Sequence, residues 1–478
     1  MRTYRLFFVN IIITISLLLS CPTDDKKGSD SSKVTLNVTA AVIPQAGSLG
    51  GVAPDFAGMC HAGYSNNLDR EYPMLNEMGV TWLHRDFSWW RIQPTEKKDA
   101  DPADWIWSDF DSYVERGNAE GKKIMGMLLY GVGWVHTIPG GCGANADSER
   151  IICNDAEIEA FCAYAVAAVK RYNGKNGKGK VDAWLIWNEP DLQPRFWTGT
   201  KDQYFALAKA TAEAIRELDE TEGTTTTLLG GVFTAMVTDD WITGLAEKGG
   251  MDKLDGIAFH PYSPNPNGTV SVFNWFKNKV TPYGFANKIW INEVGYSSYL
   301  ERGGIPIGRY GTDRYEGDMP EVAAQTFTLL AAAGARNVTW YHLFDGAERT
   351  ESDSEDWFGL VWRKSADEWI KKGGYWGYAL CANNIPGTTF KKLIFPDPVP
   401  SDLQTYYFEG ANGKRILMVW NESPLETRNV RIITGGSNHQ LWDVATGESS
   451  STGKTSTHTL YPVDTYQKTL VFLTWDAE

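Results

Sequence analysis

Between residues 55 and 344 short apolar runs alternate eight times with amphipathic stretches, and this alternation limits the possible folds more than any other feature. The runs read as strands at Asp55–Gly63, Val80–Phe87, Lys123–Tyr130, Asp182–Trp187, Thr226–Phe233, Gly256–Tyr262, Lys288–Val294 and Asn337–Phe344. Helical patterns fit Asn67–Met78, Asp109–Glu120, Asn154–Tyr172, Lys201–Glu220, Asp240–Lys248, Ser271–Val280, Glu321–Ala333 and Ala366–Leu380. In Asn154–Tyr172, Ile158, Phe161, Cys162, Ala165, Val169 and Tyr172 share one face. Asn154 or Asp155 caps its start and Gly174 stops it. Eight βα units in series predict a (β/α)8 TIM barrel. A doubly wound sheet needs fewer units, and no GxGxxG follows the first strand.

After about residue 390 the pattern changes to short strands separated by turn residues: Leu403–Phe408, Lys414–Trp420, Thr427–Ile432, His439–Asp443, Ser456–Tyr461 and Thr469–Thr474. That predicts a small C-terminal all-β sandwich. Val34–Ile43 alternates apolar and polar residues and can add a strand to it. The expected organisation is a leader at 1–20, a tether at 21–33, a barrel domain at 34–390 and a sandwich at 391–478.

Charge narrows the partners. Lys plus Arg is 45 against 59 Asp plus Glu, a net charge of −14. Nucleic acid selects for basic surfaces, so it is excluded as an expected partner. A polybasic membrane patch is excluded for the same reason. Aromatic residues make up 13% of the chain, including 20 Trp. Rigid rings suit the flat apolar faces of sugars, although a large core uses them equally.

Arg2 and Arg5 precede an apolar run from Leu6 to Leu19, too short for a membrane span of about 20 residues. The run ends in Leu18-Leu19-Ser20-Cys21, which resembles the lipobox of bacterial lipoproteins. The resemblance implies a lipid on Cys21 and a membrane-anchored protein of the cell envelope. An ordinary cleaved signal peptide is the alternative. Pro22–Lys33 is polar and reads as a flexible tether. Of the other cysteines, Cys142 and Cys153 bracket a short polar loop and form the candidate disulfide of an oxidising compartment. No CxxC pair or Cys/His zinc spacing is present.

The chemistry sits at strand ends, where catalytic groups of a barrel come from. The fourth strand ends in Asn188-Glu189-Pro190 and the seventh in Asn292-Glu293. Two carboxylates facing one another across a barrel mouth are what glycoside hydrolysis needs. These residues resemble the clan A, or 4/7, superfamily of retaining glycoside hydrolases. Arg85 ends the second strand, where the clan commonly keeps an arginine. Trp89-Trp90-Arg91-Ile92-Gln93-Pro94, followed by Trp105, Trp107 and Asp111, looks like the corresponding region of families 39, 5 and 42. Phe259-His260-Pro261-Tyr262 looks like the clan's His-x-Tyr on the sixth strand, and Trp340 lies on the eighth. The barrel-plus-sandwich layout is closest in outline to families 39 and 30.

The resemblance implies roles. Glu189 would be the general acid/base and Glu293 the nucleophile, held ionised by Arg85. Asn188 would hydrogen-bond the sugar 2-hydroxyl, and Tyr262 would donate to Glu293. His260 would line the pocket, while Trp340 and Trp134 would stack on pyranose faces. No metal or organic cofactor is called for, because two carboxylates and water suffice. The expected partner is a β-linked carbohydrate; xylan, glucan, mannan, galactan and a bacterial exopolysaccharide are all compatible. A long loop at 301–320 carries Arg302, Arg309, Tyr310, Arg314 and Tyr315; its arginines are expected to pair with the acidic loop Asp345–Asp356, the alternative being recognition of an acidic sugar. Two other functions fit the same layout. One is a non-catalytic surface glycan-binding lipoprotein, which has no need of both carboxylates. The other is a transglycosylase using the same site. The sequence carries no signal for oligomeric state.

Overall fold

The computed structural model describes residues 33–44, 48–96, 101–147, 149–299, 316–345, 349, 353–463 and 468–478. Cys21 and its leader lie outside these residues, as do the arginines and tyrosines of 301–315.

Eight parallel strands close into a barrel in chain order: Ala57–Cys60, Trp82–Ser88, Lys123–Leu129, Ala183–Ile186, Thr227–Thr234, Gly256–His260, Ile289–Val294 and Val338–Trp340. The eighth pairs with the first through Val338 and Ala57, Thr339 and Gly58, and Trp340 and Met59. All eight expected strands are present. Alternation sorts their side chains. Trp82, Met127, Leu185, Val232, Ala258 and Trp290 fill the interior. Leu83, Trp184, Ile257 and Ile291 pack outward against the helices.

Local chemistry sets the helix ends. Asn154 caps Asp155–Arg171 by accepting from the Glu157 N–H. Thr200 and Gln203 form a reciprocal capping box at the start of Lys201–Glu222, which ends on left-handed Gly223. The helix expected at Ala366–Leu380 begins later, at Gly373, and runs to Asn384. Residues before it form an antiparallel hairpin, Val361–Arg363 with Trp369–Lys371. Ser365 Oγ accepts the Glu368 N–H at 3.0 Å, a local bond that favours a turn over a helix.

The C-terminal strands build a seven-stranded sheet and a three-stranded sheet. Lys33–Asn37 pairs in parallel with Arg428–Ile433 in the smaller sheet. Ser48–Gly51 and Thr388–Lys391 pair at the edge of the larger one. Both ends of the barrel sequence are therefore tied into the sandwich. The strand Lys414–Asn421 shows how the larger sheet works: Leu417 and Val419 face the core between the two sheets. Ile416, Met418 and Trp420 face the barrel and join its core. The central strands of that sheet, Lys414–Asn421 and Leu470–Asp476, are buried on both faces and read as nearly continuous apolar runs.

Candidate active site

Glu189 and Glu293 reach the same mouth because the backbone is redirected at both strand ends. After the fourth strand, Trp187 (φ 64°) and Glu189 (φ 43°) adopt left-handed backbone, uncommon for residues with a side chain. The Glu189 N–H donates to Val232 O at 2.9 Å, which fixes the turn. On the seventh strand, simple alternation from inward Trp290 would send Glu293 outward. The register gains one residue there: Val338 pairs with Ile291, but Trp340 pairs with Val294. The extra residue acts as a bulge and turns Glu293 toward the mouth.

His260, at the end of the sixth strand, joins the two carboxylates. Its Nδ1 lies 2.6 Å from Glu189 Oε1 and 3.9 Å from Glu293 Oε2. A ligating atom from each of these three residues lies within 4.8 Å of the other two. Tyr262 O–H donates to Glu293 Oε1 at 2.8 Å. Burial pulls the His260 imidazole down, but the negative charges of Glu293 and Glu189 outweigh it and hold it up at about 9. Glu293 is pushed up to about 7, first by burial and then by the charge of Glu189, against the pull of His260. The cluster is thus two carboxyl groups set against an imidazole that their charge holds in its protonated form.

Asn188 donates its Nδ2–H to Tyr130 Oη at 3.2 Å, and its buried Oδ1 makes no hydrogen bond among the described residues. Asp191, just past Glu189, accepts the Thr234 hydroxyl at 2.6 Å and the Thr234 N–H at 3.1 Å. Burial, helped by the charge of Glu189, raises Asp191 to about 6. Trp134 is half-buried beyond the third strand, with its ring against Trp89 and its N–H on Gln93 O at 2.9 Å. Cys142 and Cys153 are joined in the loop that follows.

Two expected site residues lie elsewhere. Arg85 does not reach Glu293. It sits on the outward face of its strand, bonds Asp109 Oδ2 at 2.5 Å, and packs over Phe110 and Tyr113. The alternation set by inward Trp82 explains this, and the cation beside Glu293 is His260. Trp340 is 0% exposed, wedged outside the barrel against Tyr296 and Tyr378, so it offers no face to a sugar. Asp345, expected to meet the arginine loop, is paired with Lys372 at 2.9 Å and with Arg349 at 2.6 Å.

The same alternation identifies residues that sequence reasoning passed over. Asp86 pairs in register with inward Met127, so it faces the mouth. Burial raises its carboxyl while His61 and Arg85 pull it back. Cys60 donates its S–H to Asn292 O at 3.1 Å beneath the pair. Tyr341, next to Trp340, brings its ring to 5.4 Å from His61 and its hydroxyl to 3.3 Å from Glu355. Counting inward positions from Trp82 would have found Asp86; Tyr341 lies past the strand end, where that count stops.

Residues 152–281, which include Asn188, Glu189, His260 and Tyr262, match the sequence profile of Glycosyl hydrolases family 39. A β-xylosidase of Caldicellulosiruptor saccharolyticus is 38% identical over 91 residues, 18% of this chain and 17% of that protein. The chain thus aligns with only about a sixth of that relative's length. A family 39 glycoside hydrolase from Bacteroides cellulosilyticus WH2 superposes with a TM-score of 0.66 at 18% identity, over 89% of this chain and 81% of its own. A family 39 β-xylosidase from Caulobacter crescentus superposes at 0.60 and 13% identity, over 93% and 100%. The family 30 xylanase C catalytic domain of Talaromyces cellulolyticus does so at 0.61 and 14%, over 93% and 100%. At these identities the structural likeness is one of fold: a (β/α)8 barrel carrying a β-sandwich.

Proposed function

We propose that this chain is a retaining β-glycoside hydrolase, with Glu189 as acid/base and Glu293 as nucleophile. The observation that carries the proposal is the Glu189–His260–Glu293 cluster, whose ligating atoms lie within 4.8 Å of one another. Retaining enzymes hold their carboxyl groups about 5–5.5 Å apart, whereas inverting enzymes leave about 6.5–9.5 Å for a water.

The retaining mechanism calls for a proton on Glu189 and an ionised Glu293. Glu293 Oε1 is held by Tyr262, which leaves Oε2 to attack the anomeric carbon. Glu189 passes its proton to the departing oxygen. The glycosyl ester removes the charge of Glu293, so Glu189 can then accept a proton from the incoming water. The imidazolium of His260 offsets the charge of the pair throughout. Asn188 Oδ1 is the acceptor for the 2-hydroxyl. The partial family 39 match makes β-xylosides the first substrates to try. The leader reading adds a place: lipid on Cys21 would anchor the enzyme at the cell envelope, and Cys21→Ala would release it into the soluble fraction.

Product release from aryl β-glycosides and β-linked polysaccharides tests the site. Glu293→Gln should lower kcat by at least about a thousandfold. Glu189→Gln should give a burst of aryl release on activated substrates followed by slow turnover, because the ester forms but its hydrolysis lacks a base. Equal turnover by Glu293→Gln and the parent would end the proposal.

A further inference from the structure

Outside the carboxylate pair, four residues of metal-binding type converge beneath the rim loop after the third barrel strand. His136 and Glu157 are buried at 2% and 0% exposure, and the joined Cys142 and Cys153 lie above them. A ligating atom from each of the four lies within 4.8 Å of the others. His136 lies on Gly133–Thr137 and Glu157 in the first turn of Asp155–Arg171, so two elements fix the buried half.

The hydrogen bonds orient these groups as a bound metal would require. His136 Nε2 lies 3.1 Å from Asp147 O. A carbonyl only accepts, so Nε2 carries the hydrogen and Nδ1 faces the cluster. Metal-bound imidazoles are commonly braced by a carbonyl in this way. Nδ1 lies 3.0 Å from Glu157 Oε1 and 3.5 Å from Cys142 Sγ. A hydrogen must sit between Nδ1 and the carboxylate, at a place where a cation would fit. The backbone N–H groups of Cys142 and Cys153 donate to Glu157 Oε1 and Oε2 at 2.8 and 2.7 Å, holding that carboxylate in place.

We propose that His136, Cys142, Cys153 and Glu157 form a zinc site when the disulfide is open, so that either of two cross-links can close this loop. Two sulfurs, an imidazole and a carboxylate are a donor set that suits tetrahedral zinc. Zinc bonds of about 2.0–2.3 Å place neighbouring ligands about 3.3–3.8 Å apart, so closure needs movement of only about 1 Å. A dithiol reductant gives two electrons and two protons to the Cys142–Cys153 bond, leaving two thiols and its own disulfide. Zinc then binds both thiolates, Nδ1 and a Glu157 oxygen. The two thiol protons and the one between His136 and Glu157 leave to solvent. The loop borders the proposed acid/base: Thr198 N–H donates to Arg150 O at 2.8 Å, and Gln203 Nε2 donates to Cys153 O at 2.8 Å. Either cross-link therefore braces the segment that follows Glu189.

Zinc titration of the full chain, before and after phosphine reduction, tests this, with circular dichroism reporting the fold. The reduced protein should take up one zinc per chain, and cobalt in its place should show thiolate charge transfer. The oxidised protein should bind none there. Glu157→Gln should weaken zinc by at least about tenfold. The Cys142→Ser/Cys153→Ser double variant keeps Cys60, Cys162 and Cys381 and should lose the site. A reduced protein that unfolds and regains its fold with zinc also supports the proposal. It is overturned if the reduced, folded protein takes up no zinc, if the double variant binds as tightly as the reduced parent, or if zinc fails to restore an unfolded reduced protein.

Discussion

His260 is the residue on which the charge balance of the mouth turns. Its imidazole is held up at about 9 against an ordinary 6.5, and Glu293 is held up at about 7 against 4.5. Each group binds its proton more tightly folded than unfolded, so each contributes stability at low pH that is lost as pH rises. The Glu293 contribution fades between pH 4.5 and 7, and that of His260 between 6.5 and 9. Urea midpoints should therefore fall from pH 6.5 to 9, and His260→Asn should flatten that fall. An unchanged slope in the variant would remove His260 from the account. Arg85 is a structural residue here. Arg85→Ala should cost about 1–3 kcal/mol of unfolding stability, since it strips packing and a partner of Asp109. The pH profile of activity should keep its shape, and a shifted profile at unchanged stability would restore Arg85 to the site. The glutamates were legible in the sequence because each closes an apolar run at a strand end. Arg85 and Trp340 were misplaced because a strand end alone does not say which face a residue takes. Counting from a known inward residue does, and it sends both to the helical side.

At the scale of the element, the eight strands were legible from their apolar runs, whereas the irregularities that aim the site were not. A bulge leaves no mark in hydrophobic pattern unless a glycine shows it. Gly231 is such a mark, with φ of +57° on the fifth strand, where the register with the sixth also shifts. Its neighbour Val232 supplies the carbonyl that holds the Glu189 N–H. A Cβ at residue 231 would stand 2.7 Å from Leu245 and 2.8 Å from Phe233. Gly231→Ala should therefore cost about 2–3 kcal/mol by strain and crowding. It should also lower kcat more than it raises KM, because it moves Glu189 without touching a binding residue. Thermal unfolding and steady-state kinetics together check this; a stability loss with unchanged kcat would show that Val232 does not position Glu189 for the proposed acid/base role. The hairpin at 361–371 was missed because Ser365 supplies a turn that helical periodicity does not register.

For the whole molecule, the sandwich is part of the barrel's core and cannot act as a detachable module. The sandwich side of the interface contributes Phe408, Ile416, Met418, Trp420, Leu470 and Phe472 to the same apolar core as the barrel helices. Met418 Sδ accepts the Thr328 hydroxyl at 2.8 Å, and Glu321 on the same helix accepts the Thr469 and Leu470 N–H groups at 2.9 and 3.2 Å. Trp420 is 1% exposed and stacks on Tyr406 at 4.7 Å. This fusion was invisible in the sequence, where Trp420 is one tryptophan among 20, because only the paired sheet shows both of its faces covered. A shared core makes unfolding cooperative across both units. Calorimetry should show one transition, and Trp420→Ala, costing about 3–5 kcal/mol, should move that single transition down without splitting it. Two resolved transitions in the parent, or a variant that lowers only one of them, would mean that barrel and sandwich unfold separately and that the buried face between them holds them together only loosely.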